Sequence, residues 1–384
     1  MFSIQATSSD CNARIGILPT GHGKAETPFF MPVATKGTVK YVTGPELEQM
    51  GKQGVQSLIA NALLLHLKPG SDFLKQQGGL HQFMQFHRTI FTDSGGFQML
   101  IPSLFEKIND QGVYFRNPFN LQKLFVAPEQ IMEIEMKIGA DVAMCLDHVA
   151  PVNAPKQQIE EAYRRTHLWA KRCKEKHDLL KEGENEKKRN GTNPQQLLFG
   201  IAQGGKNLAL RKKSAQYINN LNFDGHAIGG LCIGETKKEM RVCAQAQLKV
   251  FDKNKPAYLM GVGTPLDILD AVAQGVDCFD SIFPTRKARE GLIFTSTGQH
   301  EITKTTYAYD SKALDQACTC YVCTTFSRAY LHHLLKVQEY TVHRYLSYHN
   351  LHFMTLLMEQ IREAIKKDEF LDYKKDVEKN WKKK

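Results

Sequence analysis

Short apolar runs that end in polar residues alternate with amphipathic segments between residues 55 and 285. The runs are TIFTDSGGFQ, GADVAMCLDH, LLFGIAQGG, HAIGGLCIGE, AYLMGVGT and VDCFDS, and the amphipathic segments are residues 128–138, 156–171 and 265–274. Strands that alternate with helices predict a parallel α/β architecture. Six such strands within about 230 residues favour a (β/α)8 TIM barrel, whose active site lies at the carboxyl ends of the strands. A doubly wound open sheet is the alternative, and the missing Gly-rich dinucleotide fingerprint disfavours it.

Three segments lie outside this repeated pattern. The first 40 or so residues, which include ETPFFMPVAT, predict strands that cap one end of the barrel. Residues 174–196 are charged and poor in large apolar side chains, which predicts an exposed insertion between a helix and a strand. From about residue 300 onward, a cysteine cluster precedes a long helical stretch. We therefore expect a catalytic domain at residues 1–300 and a C-terminal helical subdomain with a lysine-rich tail at residues 301–384.

Composition favours a folded protein of the cytoplasm. Hydrophobic residues make up 42% of the 384 residues. The N-terminus lacks a basic start followed by an apolar core, so we expect no secretory signal. The most apolar stretch, SLIANALLLHL, is far shorter than the roughly 20 residues of a membrane-spanning helix. Nine cysteines, most of them scattered singly, fit a reducing compartment. The net charge is +10, and residues 171–190 and 366–384 contribute +3 each. We expect these two segments to be a solvated loop and a solvated tail, so charge permits an RNA partner without establishing one.

The sequence CTCYVC places Cys318, Cys320 and Cys323 within six residues. Clustered thiolates are ligands that zinc prefers, and a tetrahedral site needs a fourth ligand. The candidates downstream are His332, His333, His343, His349 and His352. His349 lies on the apolar face of a predicted helix, where a lone histidine is ordinarily a core residue. The cluster of three cysteines makes a metal ligand the favoured interpretation of this histidine. We expect one structural zinc ion, bound by the three cysteines and His349.

Three aspartates, Asp93, Asp147 and Asp280, each end a predicted strand. A single strand-end aspartate often caps the following helix, so one alone is weak support for catalysis. Together, with Gln203 and a Gly-Gly backbone between them, they are expected to converge on one face of the barrel. Such a set suits recognition of a polar heterocycle and carboxylate chemistry at a glycosidic carbon.

Several segments resemble the bacterial-type tRNA-guanine transglycosylases, in the order of that family and over nearly the whole chain. They are DSGGFQ, FGIAQGG, AIGGLCIGE, YLMGVGTP, FDSIFPTRKAREG, and CTCYVC followed by a histidine. The combination is highly specific, although any single motif would be weak. The resemblance implies a (β/α)8 barrel with a structural zinc subdomain, working as a homodimer. It also implies exchange of the wobble guanine of tRNAs with GUN anticodons for a 7-deazaguanine base, in queuosine biosynthesis.

The resemblance also implies roles for individual residues. Asp280 would be the nucleophile that attacks the anomeric carbon, and Asp93 the general acid/base. The implied base-binding residues are Asp147 and Gln203 at the pyrimidine edge, Gly230 and Leu231 through their backbone, Phe97 and Met260 on the two ring faces, and Ser94. Arg286 and Arg289 would contact the tRNA anticodon loop, where a guanidinium reads bases or holds phosphate.

The chain departs from the family pattern at several positions. Phe97 replaces a tyrosine, Thr264 a lysine and Glu290 an asparagine, and CLDHVAPVNAP lacks the usual acid–cysteine pair and tyrosine–proline. Ile233 is branched where queuine users have glycine, which favours the smaller 7-aminomethyl-7-deazaguanine over queuine. A non-catalytic tRNA-binding accessory subunit is the alternative function, and it is expected to lack the nucleophile or the acid/base. Archaeal-type action would require an extra C-terminal RNA-binding domain, for which this sequence leaves no room.

Overall fold

A computed structural model describes residues 1–186, 193 and 195–382 of the chain. The strands are β1 Ser3–Thr7, β2 Arg14–Thr20, β3 Gly23–Thr27, β4 Phe29–Pro32, β5 Ser57–Asn61, β6 Thr89–Asp93, β7 Phe105–Ile108, β8 Val113–Arg116, β9 Lys123–Val126, β10 Val142–Met144, β11 Leu197–Ala202, β12 Gly225–Ile228, β13 Ala257–Leu259, β14 Cys278–Ser281, β15 Leu292–Thr295 and β16 Gly298–Glu301. The helices are α1 Gly44–Glu48, α2 Ala62–Leu67, α3 Ser71–Gln76, α4 Gly79–Met84, α5 Gly96–Met99, α6 Pro128–Ile138, α7 Lys156–Glu186, α8 Leu208–Asn220, α9 Lys237–Leu248, α10 Pro265–Ala273, α11 Phe283–Arg289, α12 Tyr321–Thr325, α13 Arg328–Lys336, α14 Thr341–Lys366 and α15 Phe370–Lys382.

Eight parallel strands form the central barrel, in the order β4, β14, β13, β12, β11, β10, β6 and β5. A parallel bridge between Val33 and Ile59 joins β4 to β5 and brings the ends of the sheet together. Every residue of β5 and of β12 is buried, which is typical of parallel strands covered by helices on one side and packed side chains on the other. The predicted TIM barrel is confirmed, and the open doubly wound sheet is excluded.

The antiparallel sheet of β1, β2 and β3 covers the amino ends of the barrel strands. Arg14 in β2 forms an ion pair with Asp277, the residue before β14, over 2.6 Å. His22, in the turn after β2, contacts Asp141, just before β10, over 2.9 Å. The predicted N-terminal capping strands are therefore confirmed. This sheet closes the amino ends of the strands, and a cavity lies at their carboxyl ends.

Helix α7 is longer than its apolar periodicity predicted. It runs from Lys156 to Glu186, so residues 174–186 are its last turns and not a separate insertion, which corrects the predicted boundary. The buried side chain of His177 anchors this part of the helix, whereas Glu175 and Glu182 are exposed. Residues 187–192 and 194 of the predicted insertion lie outside the described residues. Gln196, which ends that segment, is buried and donates to the backbone carbonyls of Glu135 and Ala140.

The C-terminal region has a second hydrophobic core beside the barrel. Its buried residues are Ala288, Ile293, Ile302, Leu314, Cys320, Val322, Cys323, Leu331, Leu334, Val342 and Leu346. Helix α14 packs against α11, β15 and β4, and so joins this core to the barrel. Because the second core includes residues before residue 300, the division of the chain at that position stays a prediction.

The lysine-rich C-terminal segment is a docked helix, which corrects the expectation of a solvated tail. Phe370 is fully buried, and the ring of Trp381 lies 5.8 Å from that of Phe294 and 5.6 Å from that of Phe353. Lys374 forms an ion pair with Asp270 of α10 over 2.9 Å. Lys375 and Lys379 lie on the exposed face of this amphipathic helix, so the density of lysines in the sequence concealed its apolar face. Lys383 and Lys384 lie outside the described residues.

Candidate active site and metal centre

The carboxyl ends of the barrel strands surround a cavity of about 520 Å³. The predicted site residues that line it are Asp93, Ser94, Phe97, Asp147, Gly230, Leu231, Met260, Asp280 and Arg286. Gln203 lies behind the wall and is bonded to Asp147, whereas Arg289 lines a separate cavity next to Tyr340. Residues from five strand ends thus meet at one opening, because parallel strands present their carboxyl ends to the same side of a barrel.

Two donors hold the carboxylate of Asp280 at the end of β14. The Tyr258 hydroxyl donates to Oδ1 over 2.6 Å, and the backbone amide of Gly261 donates to the same oxygen over 2.7 Å. Burial raises the pKa of Asp280, and both hydrogen bonds oppose that rise. Among the described residues, Oδ2 receives no hydrogen bond, so this oxygen is left for a ligand in the cavity.

Asp93 ends β6 and has a different electrostatic environment. The Asn61 amide donates to its Oδ1 over 2.5 Å, and the Gly95 amide donates to the same oxygen over 3.0 Å. Burial raises the pKa of Asp93 to about 7, and the charges of Asp280 and Asp147 add to the rise, although the Gly95 amide opposes it. A carboxyl group with a pKa near neutrality can both donate and accept a proton at physiological pH.

Asp147 and Gln203 form a buried polar pair in the cavity wall. Gln203 Nε2 donates to Asp147 Oδ2 over 2.6 Å, and burial raises the pKa of Asp147 to about 6. Gly230 has a φ of 64°, and a Cβ there would lie 2.2 Å from Gln203 Oε1, so only glycine fits. Arg211 fixes this backbone, since it donates to the carbonyls of Gly229 and Gly230 over 2.7 and 3.1 Å. The wall therefore presents fixed donors and acceptors to a planar heterocycle.

Other residues supply the apolar surface of the cavity. Phe97 is exposed and Met260 is half-buried, and both line the opening. Cys232 and Ile233 form the wall next to Leu231, and Cys232 has a left-handed φ of 62°. The Glu235 carboxylate accepts hydrogen bonds from the backbone amides of both, which fixes this irregular turn. The side chain of Ile233 is thereby held at the edge of the cavity.

The two arginines of the TRKAREG segment lie on the short helix α11. Arg286 reaches the cavity. Arg289 donates to the carbonyl of Thr285 over 2.9 Å and lies farther out. The neighbouring Lys287 and Glu290 form an ion pair with each other. Arg286 is therefore the arginine that is placed beside Asp280.

Cys318, Cys320, Cys323 and His349 form a compact group that could hold a metal ion. The distances from His349 Nδ1 to the three sulfur atoms are 3.8, 3.6 and 3.3 Å, in the order of the cysteines. These values are close to the ~3.6 Å edge of a tetrahedron built from zinc–sulfur and zinc–nitrogen bonds. His349 Nε2 donates to the carbonyl of Phe294 over 2.8 Å, which leaves Nδ1 unprotonated for the metal.

The other candidate histidines fit this centre less well. His352 Nδ1 lies 3.6 Å from the sulfur of Cys318 but is within contact distance of neither Cys320 nor Cys323. His332 donates its Nδ1 proton to the carbonyl of Ile302 over 2.8 Å. Of these three histidines, His349, the ligand expected from the sequence, has a ring nitrogen near all three sulfur atoms.

Sequence reasoning missed three residues that position the site. Tyr258 lies inside the apolar strand AYL, where a tyrosine is indistinguishable from a core residue. Arg211 lies in an amphipathic helix, where an arginine is ordinarily solvated, yet here it is fully buried. Asn61 ends SLIAN in the same way that the aspartates end their strands, so its position was a usable signal.

No helix among the described residues combines the length and the apolar character needed to cross a membrane.

Comparison with known proteins gives one consistent result. Residues 9–383 match the family model described as queuine tRNA-ribosyltransferase. The relatives that bear this name include one from Lysinibacillus sphaericus strain C3-41, 43% identical over 98% of this chain and 94% of the relative. Another, from Thermoanaerobacter sp. strain X514, is 42% identical over 97% of this chain and 95% of the relative.

Proposed function

Because the chain belongs to the queuine tRNA-ribosyltransferase family, it is a pentosyltransferase of the tRNA-guanine transglycosylase kind, and we propose that it exchanges the wobble guanine of tRNAs with GUN anticodons for a 7-deazaguanine base. The observation that carries this proposal is the meeting of Asp280 and Asp93 at one cavity beside the Asp147–Gln203 pair. Both carboxylates are present, which disfavours a non-catalytic tRNA-binding accessory subunit.

The exchange proceeds through a covalent aspartyl-ribose intermediate. Oδ2 of Asp280 attacks C1′ of the wobble nucleoside while the C1′–N9 bond breaks, and guanine takes a proton from Asp93 as it leaves. The incoming base then loses its N9 proton to Asp93, its N9 attacks C1′, and Asp280 departs as a carboxylate. Tyr258 and Gly261 donate to Oδ1 throughout, so the attacking oxygen keeps one orientation.

The wall of the cavity reads the pyrimidine edge of the base. Asp147 can accept from the N1 and exocyclic amino protons of a guanine-like ring, and the Gln203 amide and the Gly230 backbone lie next to it. Phe97 and Met260 provide apolar surfaces for the two ring faces. Phe97 lacks a hydroxyl, so it contributes stacking alone.

The smaller 7-aminomethyl-7-deazaguanine is favoured as the incoming base. Ile233 is held at the edge of the cavity, where its branched side chain occupies space that the cyclopentenediol of queuine would need. Val149, which also lines the cavity, adds to the apolar character of the wall.

The metal centre is proposed to hold one structural zinc ion. Three thiolates and one imidazole fill a tetrahedron, which leaves no ligand position for substrate. Two of the cysteines belong to the second hydrophobic core, and His349 bonds the carbonyl of Phe294, so metal binding would stabilise the packing of the C-terminal region on the barrel.

The tRNA anticodon loop is proposed to lie over the cavity opening. Arg286 and Arg289 would contact it, and Arg286→Ala is expected to weaken tRNA binding by one to two orders of magnitude, the loss of one charge-assisted contact. We also infer a homodimer, as the resemblance to the family implies. Nine unpaired cysteines favour a cytoplasmic location.

One assay tests the function. Purified protein is mixed with tRNA that carries radiolabelled guanine at the wobble position, and label release is measured with 7-aminomethyl-7-deazaguanine, with queuine and with no added base. The wild type is expected to release the label. Asp280→Asn is expected to lose both label release and the covalent RNA adduct seen on denaturing gels. An adduct that persists in Asp280→Asn would place the nucleophile elsewhere, and tRNA binding without any exchange would favour the accessory subunit.

A further inference from the structure

The turn of residues 117–122, between β8 and β9, holds apolar side chains in solvent. Phe119 is 39% exposed and Leu121 is 61% exposed, and Leu121 has a φ of 61°, which is unfavourable for a branched side chain. The turn is nevertheless well built, since Leu121 N donates to Asn117 O and Asn117 N to Gln122 O, both over 2.8 Å. An ordered turn that keeps a strained residue and apolar groups exposed indicates a binding role.

The ammonium groups of two lysines lie over the ring of Phe119 at this turn. The Nζ atoms of Lys36 and Lys68 lie 5.2 and 5.8 Å from the centroid of the Phe119 ring. Both lysines are exposed, and no carboxylate of the described residues lies within ion-pair distance of either. We call the group of Phe119, Lys36 and Lys68 the Phe119 platform. It combines an exposed ring with two cations that have no acidic partner, the chemistry that binds single-stranded nucleic acid.

The Phe119 platform continues the rim of the active-site cavity. Lys36 directly follows Thr35, a cavity-lining residue after β4, and Lys68 follows the helix after β5. Strand β4 lies between β5 and β14, the strand that carries Asp280. Helix α5, which carries the cavity-lining Phe97, packs against β8. The platform and Arg286 therefore occupy different sectors of one rim.

We propose that the Phe119 platform is a second RNA-contact surface, on which an unpaired nucleobase flanking the exchanged guanosine stacks while the two lysines hold phosphates. This inference rests on the proposed function. A nucleotide that is turned into a cavity leaves the chain on its two sides to run outward over the rim. Arg286 serves one side, and the platform serves the other, with an aromatic face that accepts any base.

Three variants test the platform in tRNA binding and exchange assays. Phe119→Leu removes the ring, Phe119→Trp keeps a stacking face, and Lys36→Gln with Lys68→Gln removes both cations. Phe119→Leu is expected to weaken tRNA binding roughly tenfold, and Phe119→Trp to restore it. The lysine double variant is expected to lower the magnitude of the slope of log affinity against log salt by about 1.5. The KM for the incoming base is expected to stay unchanged in all three.

Matched controls remove the same groups elsewhere. Phe105→Leu removes an exposed ring from the same small sheet, and Lys212→Gln with Lys213→Gln removes two exposed charges from α8. Both controls are expected to bind tRNA as the wild type does. If the wild type exchanges guanine while Phe119→Leu and the lysine variant keep wild-type affinity and salt slope, the platform is overturned and the proposed function stands. If the wild type does not exchange guanine, the proposed function itself fails.

Discussion

The hydroxyl of Tyr258 donates a 2.6 Å hydrogen bond to the same carboxylate oxygen of Asp280 that accepts from the Gly261 amide. Burial and the adjacent Asp280 charge raise the pKa of Tyr258, so the hydroxyl keeps its proton and remains a donor. The bond stabilises the ionised form of Asp280 and fixes its orientation, which makes Tyr258 a positioning residue for the proposed nucleophile.

Tyr258→Phe is therefore expected to lower kcat by about 10- to 100-fold, the worth of one hydrogen bond to a charged group. The KM for tRNA is expected to change little. Without the hydroxyl the pKa of Asp280 rises further, so the acid limb of the kcat–pH profile should move to higher pH. A profile whose acid limb stays in place would show that Tyr258 does not act on the ionisation of Asp280.

Asp93 makes the stability of the protein depend on pH. Because burial raises its pKa to about 7 from an ordinary 3.8, the folded protein binds this proton more tightly than the unfolded chain does. The resulting stabilisation is fully present below about pH 4 and is lost as pH rises through 7. The free energy of unfolding of Asp93→Asn, relative to that of the wild type, should therefore be greater at pH 8 than at pH 5. Denaturant unfolding at the two pH values measures this difference, and exchange activity is expected to be lost in the variant. An equal difference at both pH values would contradict the raised pKa.

Metal content should depend on His349 and not on His352. His349→Ala is expected to lose bound zinc and to unfold at lower denaturant concentration, because its Nδ1 faces all three sulfur atoms. His352→Ala is the matched control, since its Nδ1 contacts only Cys318. Elemental analysis of the purified variants makes the comparison. Retention of one zinc ion per chain in His349→Ala would assign the fourth ligand to another residue.

The choice of incoming base should respond to the size of residue 233. Ile233→Gly is expected to lower the KM for queuine several-fold, because it removes a branched side chain from the cavity edge. Ile233→Val keeps the branch and should behave as the wild type. The ratio of kcat/KM for the two bases is the measured quantity. If glycine leaves that ratio unchanged, the limit on base size lies elsewhere in the wall.

Helix α15 should contribute to folding, in contrast to the solvated tail expected from its lysines. Phe370→Ala is expected to lower the free energy of unfolding by about 3–5 kcal/mol, because it empties a fully buried site. Lys379→Ala, at an exposed position of the same helix, should leave stability unchanged. Chemical denaturation of the two variants distinguishes these outcomes. Equal stability of Phe370→Ala and the wild type would mean that the helix is not docked in solution.

Short sequence patterns alone predicted the barrel, the side of it that carries the carboxylates, and the metal centre. Apolar runs that end in Asp93, Asp147 and Asp280 predicted a parallel barrel and the side of it on which those carboxylates lie, because strand direction fixes where each run ends. The spacing of CTCYVC predicted a metal centre for a similar reason, since short loops hold thiolates at ligand distance. Helices predicted from amphipathic periodicity were less complete. The many charged residues concealed the last turns of α7 and the whole of α15.

Only the tertiary structure decided which residues act on one another across the barrel. Tyr258 and Asp280 are 22 positions apart and lie on neighbouring strands, and nothing in the strand AYL marks its tyrosine as a hydrogen-bond donor to a carboxylate. His349 was already the expected fourth ligand, but the bond from its Nε2 to the carbonyl of Phe294, which leaves Nδ1 for a metal, is seen only in the fold. Lys36, Lys68 and Phe119 follow β4, α2 and β8 along the chain and meet only in the folded structure. The sequence pattern specifies which face of an element is buried. Contacts between side chains of different elements depend on the distance between those elements, and only tertiary packing sets that distance.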